Sequence, residues 1–300
     1  MYLRHFGLKE FPFSITPDTS FFFSSDSSQE ALNTLLVAVR TGEGFIKITG
    51  EVGTGKTLLC RKLMNALGDE FYVAHIPNPS LDAISLFSVL CDEFAIEGAA
   101  PDASAHQLVR AINEKLLQLA REGRRAVICL DEAQSMPIET LEALRLLTNL
   151  ETEKRKLLQV IIFGQPEVEH KLSHPSIRQL KQRIAFHYEL GPLERSELDF
   201  YLHHRMVVAG YQGNRVFSPM AVRTLERKSR RVPRLVNILA HKALLSAFGR
   251  GSRTVGMRDV SAAARDTASV DTAPSWRMRT LFYLTFASAC LAAAGWVNWK

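Results

Sequence analysis

The chain has 300 residues, of which 46% are apolar and 23% charged, with a formal net charge of +6 and a pI near 9.2. This length allows one medium-sized or two small domains, and this composition excludes a disordered or collagen-like chain. Four cysteines without CxxC or zinc-ligand spacing give no sign of a disulfide framework and favour a reducing compartment. The positive charge permits acidic partners, either nucleic acid or anionic lipid.

Residues 1–41 predict an N-terminal arm. Short aromatic and proline motifs fill its first half, without the continuous apolar stretch of a secretory signal peptide. A helix is predicted over about 29–39, because leucines recur there at helical spacing.

Residues 42–191 alternate apolar strands with amphipathic helices, which predicts an α/β fold with a parallel five-stranded sheet covered on both faces. The predicted strands are 45–49, 71–76, 126–130, 158–163 and 184–189. The predicted helices are 56–67, 81–95, 104–121, 137–150 and 166–172.

A phosphate-binding loop follows the first strand, where the sequence matches G-x-x-x-x-G-K-[ST]. Its residues are Gly50, Glu51, Val52, Gly53, Thr54, Gly55, Lys56 and Thr57, and we expect Leu58 to join the nucleotide contact. Strand, glycine loop and helix in this order give the context that the motif requires. Backbone N–H groups and the helix N-terminus would bind phosphate, Lys56 would reach the β- and γ-phosphates of ATP, and the Thr57 hydroxyl would ligate Mg²⁺. A chance glycine-rich turn is the alternative.

Two carboxylates, Asp131 and Glu132, end the predicted strand 126–130. This is the Walker B arrangement, in which Asp131 would hold the magnesium shell and Glu132 would polarise the attacking water. The second carboxylate favours hydrolysis over nucleotide sensing. The alternative is an acidic turn that caps a helix.

Three further polar residues stand at or near strand ends. Gln165 follows the strand 158–163, where it could orient water or contact the γ-phosphate, unless it is an ordinary loop residue. Arg183 precedes the last strand and could reach a neighbouring subunit's γ-phosphate as an arginine finger. Arg178 is a second candidate for that finger, and a surface salt bridge is the alternative for both.

Residues 192–265 lack strand patterns and predict a C-terminal helical lid. Helices are expected from Pro219 and over about 233–248. Arg234 opens the second of these and could fold over the phosphates. The basic cluster nearby fits a solvated face, with nucleic-acid contact as the alternative. The cluster consists of Arg227, Lys228, Arg230 and Arg231.

The C-terminal residues predict a polar linker over 266–276 and a single transmembrane anchor over 277–300. Residues 280–297 carry no charge over 18 positions, and arginines and tryptophans flank them. The arginines on the N-terminal side predict a single-pass protein of the bacterial inner membrane with its ATPase domain in the cytoplasm. A buried apolar helix and an oligomer contact are the alternatives.

Taken together, these motifs resemble the AAA+ ATPases of the ExeA/GspA type, and most nearly the MshM type that serves MSHA pilus biogenesis. The resemblance covers about residues 1–265. Besides the P-loop, it rests on residues 1–3, 6–8, 12–13, 16–18, 29–32, 42–45, 131–134, 144–151, 164–167, 180–184 and 233–237.

The resemblance implies an AAA+ core with a helical lid, ATP and Mg²⁺ as cofactors, and a homo-oligomeric ring, with a hexamer as one arrangement. It implies a role in building a type II secretion or type IV pilus machine, with inner-membrane assembly proteins as partners. Gln165 would be sensor 1, Arg183 the finger and Arg234 sensor 2.

The sequence departs from the family pattern in two places, and each changes what the resemblance implies for this chain. Arg230 and Arg231 occupy a turn where such proteins usually have glycine before the Pro-Arg pair. Larger members also continue into a periplasmic peptidoglycan-binding domain, so wall binding is not expected of these 300 residues.

Two other functions compete with this one. A DNA-associated AAA+ protein of the initiator or transposition-helper kind fits the basic pI. Two features weigh against nucleic acid as a partner. No recognisable helix-turn-helix pattern follows the lid, and the chain has an apolar tail. A scaffold that binds nucleotide but hydrolyses it negligibly is the third alternative, which the Asp131–Glu132 pair disfavours.

Overall fold

The computed structural model describes residues 2–97, 103–148 and 156–267. The strands in these ranges are β1 Phe45–Thr49, β2 Phe71–Ile76, β3 Arg125–Leu130, β4 Leu158–Gly164 and β5 Ile184–Glu189. The helices of the N-terminal and central part are α1 Tyr2–Phe6, α2 Asp26–Thr41, α3 Lys56–Ala66, α4 Ala83–Glu93, α5 Ala105–Arg121, α6 Ile138–Leu147, α7 Val168–Leu172 and α8 Arg178–Arg183. The helices after the sheet are α9 Leu198–Val208, α10 Pro219–Ser229, α11 Pro233–Gly249 and α12 Met257–Arg265.

The five strands form one sheet in the order β2-β3-β4-β1-β5, and every neighbouring pair is parallel. Helices α4 to α8 pack on one face of the sheet, and α2 and α3 pack on the other. The predicted five-stranded parallel sheet is therefore confirmed. Because all strands run the same way, the residues that follow them meet at one edge, where ligands of such sheets bind.

A third apolar core lies among α9, α10, α11 and α12, which together form the helical lid. Aromatic residues from the first 25 positions join this core, so the predicted arm 1–41 divides into two parts. Residues 2–25 pack with the lid, whereas α2 packs with the sheet. The side-chain hydroxyl of Tyr2, for example, lies 2.9 Å from Nδ1 of His241 in α11.

The second half of the arm is a helix for local reasons. Ser25 caps α2, since its hydroxyl accepts the backbone N–H of Ser28 over 3.2 Å. The helix ends at Gly42, whose φ of +87° suits a glycine. Helix α2 is five residues longer than the predicted segment 29–39, and α8 lies where no helix was predicted.

No helix within the described part of the chain combines the length and the hydropathy that a membrane span requires. The predicted anchor 277–300 lies outside the described residues, and so does the predicted linker from position 268 onward.

Candidate nucleotide-binding site

The P-loop connects β1 to α3 at the carboxyl edge of the sheet. Gly53 and Gly55 have φ values of +85° and +107°, a conformation that L side chains rarely adopt. Gly50 is tightly enclosed, because a Cβ on it would lie 2.7 Å from the carbonyl oxygen of Leu190. The glycines thus allow a turn that places the N-terminus of α3, with its partial positive charge, at a cleft.

Lys56 is the first residue of α3 and is only 5% exposed. Its Nζ donates to the carbonyl oxygens of Gly50 and Glu51 over 2.6 and 3.0 Å. Burial lowers the pKa of Lys56, while the carboxylates of Glu132 and Asp131 act in the opposite direction. An ammonium group has three N–H donors, so one remains for a phosphate oxygen.

Asp131 follows β3 and is 2% exposed. Burial raises the pKa of this carboxyl, and hydrogen bonds from the Thr57 hydroxyl and the Glu132 N–H partly offset that rise. The N–H of Glu132 lies 2.9 Å from Oδ1. The Walker B aspartate and the P-loop threonine are therefore close enough to interact.

This pair of oxygen ligands fits Mg²⁺, which prefers hard oxygen donors and is commonly held by one or two carboxylates together with substrate phosphates. The part of the chain that the structure describes contains no group of three or more His, Cys, Asp or Glu residues able to hold a metal. Bound there by Thr57 and Asp131, the ion would neutralise charge on the phosphates.

Glu132 stands at the centre of a hydrogen-bonded cluster. Its backbone is left-handed, with φ +54°. Its Oε2 accepts hydrogen bonds from the side-chain amides of Gln134 and, over 3.2 Å, Gln165. The N–H of Gln165 in turn donates to Oε1 of Gln134 over 3.0 Å. This cluster forms because β3 and β4 are adjacent in the sheet, so their ends meet.

Gln134 is the member of this cluster that reasoning from single motifs missed. It appeared only within the family resemblance, and the local signal was its position two residues after the Walker B glutamate. In the structure it fixes both Glu132 and Gln165, the two residues with predicted roles toward the attacking water.

The lid and the N-terminal segment complete the cleft, which has a volume of about 340 Å³. The N–H of Arg234, at the start of α11, donates to the carbonyl oxygen of Gly53 over 3.1 Å. Residues 14–18 also line the cleft. Arg205 of α9 holds that segment, since its guanidinium donates to the carbonyl oxygens of Pro12 and Ser14 over 2.5 and 3.3 Å. Leu58, Glu132 and Gln165 also line the cleft.

Arg183 lies elsewhere. It is the last residue of α8 and precedes β5, so it stands at the amino edge of the sheet, and the P-loop stands at the carboxyl edge. A strand of five residues separates the two edges by about 16 Å. The Nη1 of Arg183 donates to Oγ1 of Thr148 over 3.3 Å. Arg178, at the start of α8, is exposed. Neither arginine lines the nucleotide cleft of its own chain.

The basic cluster of the lid lies in and after the last turn of α10. Arg230 and Arg231 have φ values of +51° and +64°, so both occupy the left-handed region that a glycine would favour. The guanidinium of Arg231 lies 3.8 Å from a carboxylate oxygen of Glu194. This strained turn leads directly into Pro233 and Arg234.

The fold is the α/β P-loop fold of AAA+ proteins. Residues 39–172 match the family model described as an AAA domain. The chain is 42% identical, over all 300 residues, to General secretion pathway protein A of Aeromonas hydrophila, and it spans 54% of that protein's length.

Solved structures show the same fold at low sequence identity. The ORC2 protein of Aeropyrum pernix, in its ADPNP–ADP complexes, has a TM-score of 0.61 at 17% identity, covering 85% of this chain and 73% of that one. Cdc6p of Pyrobaculum aerophilum has a TM-score of 0.64 at 16% identity, covering 83% and 70%. At such identities the likeness concerns the fold alone.

Proposed function

We propose that this protein binds MgATP between the subunits of a homo-oligomeric ring and uses its hydrolysis to drive assembly of a secretion or pilus machine. The observation that carries hydrolysis is the Glu132 carboxylate, held by Gln134 and Gln165 beside the P-loop. The likeness to General secretion pathway protein A supports a type II secretion complex as the machine whose assembly is driven. A type IV, MSHA-like pilus remains the related possibility, from the resemblance to the MshM type.

In this proposal each residue of the cleft has one task. Loop amides and Lys56 hold the β- and γ-phosphates, which orients the terminal phosphorus. Glu132 accepts a proton from the attacking water, and Gln165 fixes the direction of that water. Arg234 reports phosphate occupancy to the lid, because α11 starts on the P-loop.

The position of Arg183 supports a site shared between subunits. A cation at the amino edge of the sheet reaches a γ-phosphate only when a neighbouring copy presents its carboxyl edge. We therefore expect Arg183→Ala subunits to regain turnover when mixed with Lys56→Ala subunits, since each variant supplies the half-site that the other lacks. If no mixing ratio exceeds the summed activities of the separate variants, the shared site is wrong.

A cellular experiment tests the assembly role. The chromosomal gene is replaced by its Glu132→Gln variant, and the host's secretin multimers and surface pili are counted after matched expression. We expect one of these structures to fall to the level of a deletion strain while the variant protein accumulates normally. Normal numbers of secretin multimers and of surface pili would contradict the assembly role, but they would not contradict ATP hydrolysis.

Membrane attachment by residues 277–300 is part of the same proposal and places the ATPase domain on the cytoplasmic face of the inner membrane. A version that ends at Thr272 should leave the membrane pellet in detergent-free fractionation. If it stays in the pellet as the full chain does, another part of the protein provides attachment.

A DNA-associated function is the second candidate. The exposed Arg227 and Arg230 in the lid favour it. Tight binding to duplex DNA that weakens steeply between 50 and 200 mM salt, lost in an Arg227→Glu variant, would favour this function over the first.

A further inference from the structure

A second cavity at the amino edge of the sheet, of about 680 Å³, contains Arg183. The starts of β1 and β5 form its floor, and Thr148 of the α6 C-terminus forms part of its wall. Among the described residues that line this cavity, two are cations, Arg183 and Lys156, and none is a carboxylate. Among the described residues, neither cation forms an ion pair. A cavity lined in this way attracts an anion.

Lys156 is directed into this cavity by its packing on Gly44. A Cβ on Gly44 would lie 2.9 Å from Cδ and 3.0 Å from Nζ of Lys156, so the lysine lies flat against a position that has no side chain. Arg183 donates a hydrogen bond to Thr148, which also lines the cavity. The two cations therefore line the same space from two different parts of the chain.

We propose that Lys156 is a second cation that each subunit contributes, together with Arg183, to the triphosphate of its neighbour. This inference depends on the shared site proposed above. When water attacks the γ-phosphorus and the bond to the β,γ-bridging oxygen breaks, negative charge spreads over oxygens of both phosphates. Arg183 can bind two of those oxygens as a planar fork, and Lys156 adds a compact point charge beside them. Lys156 stays protonated throughout and transfers no proton.

Lys156→Met tests this with the side-chain length retained and the charge removed. We expect kcat to fall on the order of tenfold, less than for Arg183→Ala, because a lysine makes no bidentate contact. Binding of ATP by the variant's own P-loop should change by no more than about twofold. Lys181→Met is the matched control, since Lys181 is an exposed lysine on α8 that does not line the cavity.

Mixing separates a role in trans from a structural one. Lys156→Met subunits bind ATP but lack the cation, whereas Lys56→Ala subunits keep Lys156 and bind no nucleotide. In mixed assemblies, turnover per Lys156→Met subunit should rise several-fold above its value alone. A charge-retaining Lys156→Arg variant should keep most of the activity, and Gly44→Ala, which displaces the lysine stem, should lower kcat.

The outcomes distinguish this inference from the proposal beneath it. If mixing restores Arg183→Ala, but Lys156→Met has the kcat of wild type or is not restored by mixing, the role of Lys156 is wrong and the shared site stands. If mixing restores neither variant, both are wrong.

Discussion

The backbone N–H of Arg234 donates to the carbonyl oxygen of Gly53 over 3.1 Å, so the first turn of α11 rests on the middle of the P-loop. A shift of the loop on phosphate binding would move the carbonyl group that α11 contacts. Arg205 extends this connection, because it joins α9 to the segment of residues 12–14. Lid and N-terminal segment should therefore respond to the nucleotide as one unit.

Gly53→Ala tests this contact. Its φ is +85°, and the new Cβ would lie 2.5 Å from Cβ of Arg234, so the lid must move away. We expect at least a tenfold loss of ATP affinity and a stability loss of about 1–2 kcal/mol. Titration with a fluorescent ATP analogue and thermal unfolding measure the two effects.

Gly251→Ala is the control for Gly53→Ala. Gly251 has φ +69°, but a Cβ there meets nothing within 4 Å and the residue lies after α11, away from the cleft. It should show the stability loss with normal ATP affinity. Equal affinity losses in the two variants would mean that strain, not the contact with Arg234, is responsible.

Lys56→Ala should abolish measurable ATP binding, with an affinity loss of about 100-fold or more, because its ammonium is the buried cation of the P-loop. The fold should persist, since Nζ contacts only two carbonyl oxygens of its own loop. Calorimetric titration measures the affinity. Lys62→Ala, on the same helix, serves as a control that should bind ATP normally. Unchanged affinity in Lys56→Ala would show that residues 50–57 are not the phosphate site.

Glu132→Gln should bind ATP but lower kcat by about 100-fold or more, because an amide cannot accept the proton of the attacking water. Gln134→Ala should lower kcat by about tenfold with little change in KM, since Glu132 and Gln165 then lose their common partner. Phosphate release at saturating ATP measures both. Full activity in Glu132→Gln would remove that residue from the water-activating role.

The central strands could be predicted because burial on both faces leaves nearly continuous apolar runs, as in β4, where every residue is buried. The proximity of Asp131 and Thr57 also follows from the order of motifs. The cluster around Gln134 could not be predicted, because it depends on which strands are neighbours. The packing of residues 2–25 was missed for a similar reason. The contacts of residues 2–25 join distant positions and leave no local pattern. Arg205 and Pro12, for example, are 193 residues apart.

Asp131→Asn should separate stability from activity. Because burial raises the pKa of Asp131 above its ordinary 3.8, the native carboxyl holds its proton more tightly than the unfolded one. Ionisation of Asp131 therefore lowers the free energy of unfolding as the pH rises from about 3.8 through the raised native pKa. Without nucleotide and metal, we expect the variant to unfold at the same temperature as wild type or a few degrees higher at pH 7, and hydrolysis to be lost. A clearly lower unfolding temperature at pH 7 would show that the carboxylate stabilises the empty site.

Asp259→Asn should have the opposite effect on stability. This carboxylate is 1% exposed. Burial alone would raise its pKa, but hydrogen bonds from Arg250, the Gly256 N–H and the Ser246 hydroxyl outweigh burial and lower it. Because the native group releases its proton more readily than the unfolded one, it stabilises the lid above about pH 4. That stabilisation disappears as pH falls through the lowered native pKa.

The variant should therefore lose about 2 kcal/mol of unfolding free energy between pH 5 and 8, and the difference from wild type should shrink below pH 4. Urea unfolding at a series of pH values measures this dependence. Asp266→Asn is the control: Asp266 is an exposed aspartate that pairs with Lys242 over 2.8 Å, and exposed pairs contribute little. A difference that persists unchanged at pH 3 would mean that the aspartate acts through its packing and not through its charge.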